Sequence, residues 1–178
     1  MNIISRHKGV GMIEVLVALL LLAIGVLGYV ALQVRAVEAS SEALMRSQAI
    51  MLMRGIAESM RANSSGQGFY PGKVRGYTAF TADSDMQTKC LNAACTPEQA
   101  AAFDAYEAAR VANALGISLT MDSCPGVQAT ASVKRQCLFA AWGRTTISAT
   151  ETAADYSNCM SSSGVYESAA TCLMMEAY

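Results

Sequence analysis

The sequence predicts an α+β fold in which one long N-terminal α-helix packs on a small antiparallel β-sheet domain with disulfide-closed loops. Three observations lead there. Residues 15–32 carry no charge and run, without a proline, into a helix-forming segment that extends to Asn63. Three short segments rich in β-formers follow in the C-terminal third. All six cysteines lie beyond the apolar run.

The helix is the most strongly determined element. The apolar stretch is long enough to cross a bilayer. No proline occurs before Pro71, and residues 33–63 are rich in Ala, Glu, Arg, Leu and Met, all good helix formers. Met45, Ala49, Leu52, Met53, Ile56 and Met60 recur at three- and four-residue steps and line one face. One helix from about Met12 to Asn63 is therefore expected, roughly 75–80 Å long at 1.5 Å per residue. Its first half is apolar all round; its second half is amphipathic against a domain. Gly25 and Gly28 each cost about 1 kcal/mol relative to alanine within a helix, although glycines in membrane helices also permit close packing.

What precedes the helix sets its orientation. Arg6 and Lys8 stand before the apolar run and no acid accompanies them, so this end is expected in the cytoplasm and the rest beyond the membrane. No small-residue secretory cleavage site follows Tyr29, and hydropathy alone describes an uncleaved signal anchor. Glu14 sits just inside the apolar run. A carboxylate at the bilayer centre costs roughly 2.5–3.5 kcal/mol, less towards the interface, so an acid kept here needs a partner and points to function.

Beyond the helix, Asn63-Ser64-Ser65-Gly66-Gln67-Gly68 favours turns, and Pro71-Gly72 and Arg75-Gly76 extend an irregular stretch to Cys90. Thr96-Pro97-Glu98-Gln99 reads as a helix start, with Thr96 as N-cap, Pro97 first in the helix and Gln99 completing a capping box. That helix runs to about Leu115 and stops at Gly116, with a ragged apolar face of Phe103, Tyr106, Val111 and Leu115. Residues 117–121 alternate cleanly, residues 136–150 are β-rich around Leu138, Phe139, Trp142 and Ile147, and residues 172–176 make a final strand. Ser161-Ser162-Ser163-Gly164 is loop.

Cys90, Cys95, Cys124, Cys137, Cys159 and Cys172 form an even set beyond a membrane segment, which reads as disulfides. Six cysteines allow 15 connectivities, and the sequence does not choose among them. Pairing neighbours gives Cys90–Cys95, Cys124–Cys137 and Cys159–Cys172, each closing a short loop that contributes about 3 kcal/mol by loop-closure entropy. A zinc site is the competing reading, but the spacings do not fit it and the single histidine, His7, lies in the leader. Without a further histidine there is no Ser-His or Cys-His pair, and no phosphate loop or cofactor motif is present. Asp83, Asp85, Glu98 and Asp104 read as ordinary solvated surface. A net charge of −1 with no basic run past the leader argues against nucleic acid as a partner.

Gly9, the apolar run and Glu14 together resemble the class III signal of type IV pilins, in which a glycine precedes the cut and a glutamate is the fifth mature residue. Lys8-Gly9-Val10-Gly11-Met12-Ile13-Glu14 fits that pattern with the cut between Gly9 and Val10. The resemblance is strong over the first third of the chain, and the helix at Thr96, the Trp142 strand and the C-terminal cysteine pair are similar to minor pilins. It implies a leader of residues 1–9, a long helix of residues 10–63 and an exported domain of residues 64–178. It implies a prepilin peptidase that cuts after Gly9 and N-methylates Val10, and no cofactor. It further implies a subunit held in the inner membrane with its domain periplasmic, which then leaves for an extracellular pilus. Partners would be other minor and major pilins and the inner-membrane assembly platform, with Glu14 acting in assembly. Major pilins usually carry a proline near mature position 22, where this chain has Ala31, which suits a minor subunit better. A minor pseudopilin of a type II secretion system shares the same N-terminus. A membrane-anchored binding protein or adhesin that never polymerises is the alternative from another class.

Overall fold

In the computed structural model, residues 9–81, 84, 90–127 and 135–178 are described. Arg6, His7, Lys8, Asp83 and Asp85 lie outside them. Helix α1 spans Met12–Ala62. A 3₁₀ helix, Ser64–Phe69, leads into α2, Tyr70–Gly76, and α3 covers Pro97–Ala114. Five strands follow: β1, Ile117–Ser123; β2, Gln136–Trp142; β3, Ser148–Ala149; β4, Ala154–Asp155; and β5, Cys172–Glu176. The chain divides into two compact units, one ending at Leu44 and one spanning Met45–Tyr178.

In the first unit, every described side chain but Glu42 is exposed, including all the apolar residues from Val15 to Leu32. Soluble monomers do not leave an apolar surface of this extent open to water, so this part of α1 calls for lipid or protein neighbours. The helix is long and apolar enough to cross a membrane.

The second unit begins with the amphipathic part of α1. Ala49, Met53, Ile56 and Met60 are buried and Met45 and Leu52 are partly buried, so the expected stripe is a core-facing seam. The helix ends at Ala62, where Asn63 turns away and its side-chain amide donates to the Pro97 carbonyl at 2.7 Å. Gly66 packs against that amide: a Cβ there would come within 2.3 Å of Asn63 Nδ2, so the close approach requires glycine.

The irregular stretch expected from Gly66 onward is instead helical through Gly76. Pro71 stands in the first turn of α2, where its missing N–H is no loss. Tyr70 and Val74, four residues apart, bury on one face. Tertiary burial here outweighs the low helix propensity of Gly72 and Gly76. Tyr70 is fully buried, and its hydroxyl donates to Asp104 Oδ2 at 2.5 Å. Asp104 is therefore not idle surface; it anchors α3 to α2.

Burial, and next the hydrogen bond to Asp104, push the Tyr70 phenol far above its ordinary 10.0. A raised tyrosine favours the folded state fully below the unfolded value, and that contribution is lost as pH climbs past it. Tyr70→Phe is expected to cost about 1 kcal/mol at neutral pH and to flatten the loss of stability above pH 10 or so. Urea unfolding at pH 7 and pH 10.5 checks both; equal pH dependence in the two proteins would contradict it.

α3 starts with the expected capping box: Gln99 N–H donates to Thr96 Oγ1 at 3.3 Å and Thr96 N–H to Gln99 Oε1 at 2.9 Å. The helix stops before Gly116, whose φ of 70° is the left-handed conformation that glycine adopts freely. Its buried face is Ala101, Ala105, Ala109 and Ala112; of the expected Phe103, Tyr106, Val111 and Leu115, Leu115 packs partly buried against the same core. Alanines let α3 lie close on its neighbours, and the large side chains take the rim. Tyr106 there meets Tyr77 and Phe80 edge-on, with ring centroids 5.6 and 5.4 Å apart.

β1, β2 and β5 form an antiparallel sheet with β2 in the centre. In its register, Leu119 faces Ala140 and Ala140 faces Leu173, while Thr120 faces Phe139 and Phe139 faces Met174. One face, with Leu119, Leu138, Ala140 and Trp142, packs on the helices; the other, with Cys137, Phe139, Ala141 and Cys172, packs on the C-terminal loops. Phe139 stacks on Tyr156 there, centroids 4.1 Å apart and nearly parallel. β2 is buried on both faces, so it reads as a continuous apolar run rather than an alternating one.

The β-rich segment 136–150 is two strands, not one. β2 stops at Trp142 because Gly143, with φ 64°, turns the chain left-handed; β3 then pairs with β4 in a separate ribbon. Thr171 fastens this corner, its hydroxyl donating to the Trp142 carbonyl and its N–H to Thr145 Oγ1 at 2.8 Å. Both sheet edges are engaged: Arg75 Nη1 donates to the Met121 carbonyl at 3.1 Å, and Met174 N–H to the Tyr166 hydroxyl at 3.0 Å.

Candidate processing and assembly site

Gly9 and Val10 are exposed and lie outside regular structure, and α1 begins only at Met12. The Gly11 carbonyl opens the helix, accepting from Glu14 N–H at 3.0 Å and from Val15 N–H at 3.3 Å. Glu14 thereby stands in the first turn, the one place on α1 where the unpaired N–H groups and the helix dipole favour a negative charge. Its side chain is exposed, and among the described residues no ion pair engages it. The Gly9–Val10 bond is thus an accessible, non-helical peptide set immediately before a helix whose first turn presents one acid and whose body is apolar. A peptidase requires that kind of segment, since a helical bond cannot lie extended in an active site.

The cysteines pair as Cys90–Cys95, Cys124–Cys137 and Cys159–Cys172, with Cα–Cα distances of 5.7, 4.9 and 5.8 Å. Cys124–Cys137 joins the end of β1 to the start of β2, and Cys159–Cys172 holds a C-terminal loop to β5. These four sulfurs belong to the core on the loop-covered face of the sheet. Cys90–Cys95 sits at the surface just before the α3 cap.

An open cavity of ≈ 410 Å³ lies beside β1, lined by Asp122, Pro125, Gly126, Val127, Tyr156 and Ser162 among others. Asp122 carries no free chemistry there, because its two oxygens accept from Ser123 N–H at 2.6 Å and Ala154 N–H at 2.5 Å and so tie β1 to β4. The Tyr156 phenol is pushed up by burial and then by the nearby Asp122 charge, which suits a neutral packing ring rather than a base. Among the described residues no three His, Cys, Asp or Glu side chains gather to hold a metal. Glu98 makes a surface pair with Lys73 at 2.8 Å, the kind of contact that contributes little. The sequence reading missed Asp104, Asp122 and Thr171 as structural anchors, because nothing local in the chain names their partners.

Two family models match the chain. One, described as type IV pilin Tt1218, matches residues 31–106. The other, described as the prokaryotic N-terminal methylation motif, matches residues 4–30. The matches abut within α1 and together reach into α3; the five strands lie outside both. No curated protein and no solved structure matches.

Proposed function

For this chain of the type IV pilin family, with its N-terminal methylation motif, we propose the role of a minor pilin of the PilV (pilus modification) type. It is a structural subunit rather than an enzyme. In this reading it enters the inner membrane as a prepilin, is cut between Gly9 and Val10, and is N-methylated on Val10. It then joins other minor and major pilins through the assembly platform, with its domain first periplasmic and then extracellular on the filament. The observation that carries the reading is the pairing of an accessible Gly9–Val10 bond with a helix whose apolar run, residues 15–32, is wholly exposed and which bears Glu14 in its first turn. The helix continues unbroken through Ala31, where a major pilin usually has proline.

The test is processing. Gly9 has open space around it, so what a larger residue disturbs is recognition by the peptidase, not the fold of this chain. Gly9→Leu is expected to accumulate as full-length precursor in membranes, while the wild-type chain gives an intact mass that begins at N-methylated Val10. Residues 1–9 retained on filament-associated protein would overturn the proposal.

A further inference from the structure

We propose that the Cys90–Cys95 disulfide is a surface thiol–disulfide exchange site, open to a dithiol reductant while the other two disulfides stay oxidised. Access is the first argument. Cys137 and Cys159 are 1% and 0% exposed, and Cys124 and Cys172 6% and 5%. Cys90 and Cys95 are only half-buried, and the residues between them are all exposed, Leu91 at 74%. A thiolate must reach a sulfur along the S–S axis to exchange with it, so exposure governs which bridge reacts first.

The second argument is that, among the described residues, the contacts that hold the start of α3 do not depend on this bridge. The start of α3, which it precedes, is held by the Thr96–Gln99 capping box and by Asn63 Nδ2 donating to the Pro97 carbonyl. Ala101 and Ala105 then anchor the helix in the core. None of these contacts passes through Cys90 or Cys95. The buried pairs differ, because their four sulfurs form part of the packed cluster around Phe139 and Met160. The reduced form also has a place to rest: Cys90 Sγ lies 3.8 Å from the Gln99 carbonyl oxygen, an acceptor for the thiol proton that the disulfide lacks.

The exchange is balanced. One thiolate of the dithiol attacks a sulfur of the pair, the Cys90–Cys95 bond breaks, and the other cysteine leaves as thiolate. The second thiol of the reductant then displaces the first, giving two protein thiols and the reductant's own disulfide. Two electrons and two protons have moved to the protein. With a sequence separation of only 5, the cysteines stay close enough to close again when a disulfide oxidant returns.

The experiment uses the full chain in detergent micelles with dithiothreitol as the probe, under native conditions. Samples are acid-quenched over time, alkylated and mapped by peptide mass. Cys90 and Cys95 are expected to label at least ~10-fold faster than any other cysteine, with the far-UV circular dichroism unchanged while they do. Cys90→Ser/Cys95→Ser is expected to fold to the same spectrum and to lack the fast-labelling phase. Comparable labelling of any buried cysteine, loss of the spectrum with the fast phase, or a double variant that does not fold would each overturn the assignment.

Discussion

Replacing Cys159 and Cys172 together by serine is expected to lower the melting temperature of the unit spanning Met45–Tyr178 by about 10 °C or more. Two terms add. Opening a loop of sequence separation 13 releases about 3 kcal/mol of unfolded-state entropy. Two hydroxyls then replace sulfurs that are 0% and 5% exposed in the cluster around Phe139, and an unpaired buried hydroxyl costs about 1–3 kcal/mol. For a chain of this size each kcal/mol moves the midpoint by about 2–4 °C. Cys159→Ala/Cys172→Ala separates the terms, since it loses the bridge without burying a polar group, and is expected to fall between wild type and the serine variant. Thermal melting followed by circular dichroism reads all three. A shift under about 3 °C for the serine variant would show that the loop is held by its other contacts, such as Tyr166 on β5.

The reason the bridge matters so much was only partly visible in the sequence. The apolar seam of α1, the capping box of α3 and the three main strands were legible because each is a local pattern: a 3.6-residue period, a Thr-Pro-Glu-Gln run, an alternation. The α+β class followed from their order. What was not legible depended on partners distant in the chain. α2 forms in spite of two glycines because Tyr70 finds Asp104, 34 positions away. The packed face of α3 is its alanines, which carry almost no hydropathy signal; they are selected by closeness of approach, and the larger residues drew attention to the wrong side. β2 ends at Trp142 because of the backbone conformation at Gly143, not a loss of β-forming side chains. The second face of the sheet was invisible for the same reason: its cover is loop, held by Cys124–Cys137, Cys159–Cys172 and Asp122 rather than by a periodic element. At the N-terminus, Gly9, Val10 and Glu14 stand out in sequence as a basic leader, a glycine and an acid inside an apolar run. The structure adds that Val10 precedes the helix while Glu14 lies within its first turn.

That offset shapes the expected behaviour of Glu14→Ala, which is to be cut and to fold normally yet to be depleted from filaments. The proposed cleavage of Gly9–Val10 would create an α-amine whose ordinary pKa near 7.7–8.0 makes it largely cationic at neutral pH. Glu14 is exposed, with no ion pair among the described residues, and the α1 N-terminus already favours its charge. Both charges are tolerable at the membrane interface, and neither is tolerable unpaired inside an apolar bundle of helices. In the proposed filament, the exposed residues 15–44 of each subunit bury against its neighbours. Within one helix Glu14 lies four residues from Val10, but in the proposed filament the partner that sets register is the Val10 amine of the adjacent subunit, which a correct stagger brings beside Glu14. Breaking a buried pair of this kind costs about 3–5 kcal/mol, or at least ~100-fold in the equilibrium for correct docking. In the proposed role the pair selects register during assembly, and the domain of residues 45–178, a separate unit, folds without it. Two measurements distinguish these levels. Intact mass of membrane protein should show Glu14→Ala cut after Gly9 in wild-type proportion, with all three disulfides formed. Quantitative immunoblotting of sheared pili should show the variant reduced by well over 10-fold relative to wild type at equal membrane levels. Glu14→Gln, which keeps shape and hydrogen bonding but not charge, should assemble as poorly as alanine if the ion pair sets the register. Recovery of Glu14→Ala in sheared pili at wild-type amounts would sink the register role.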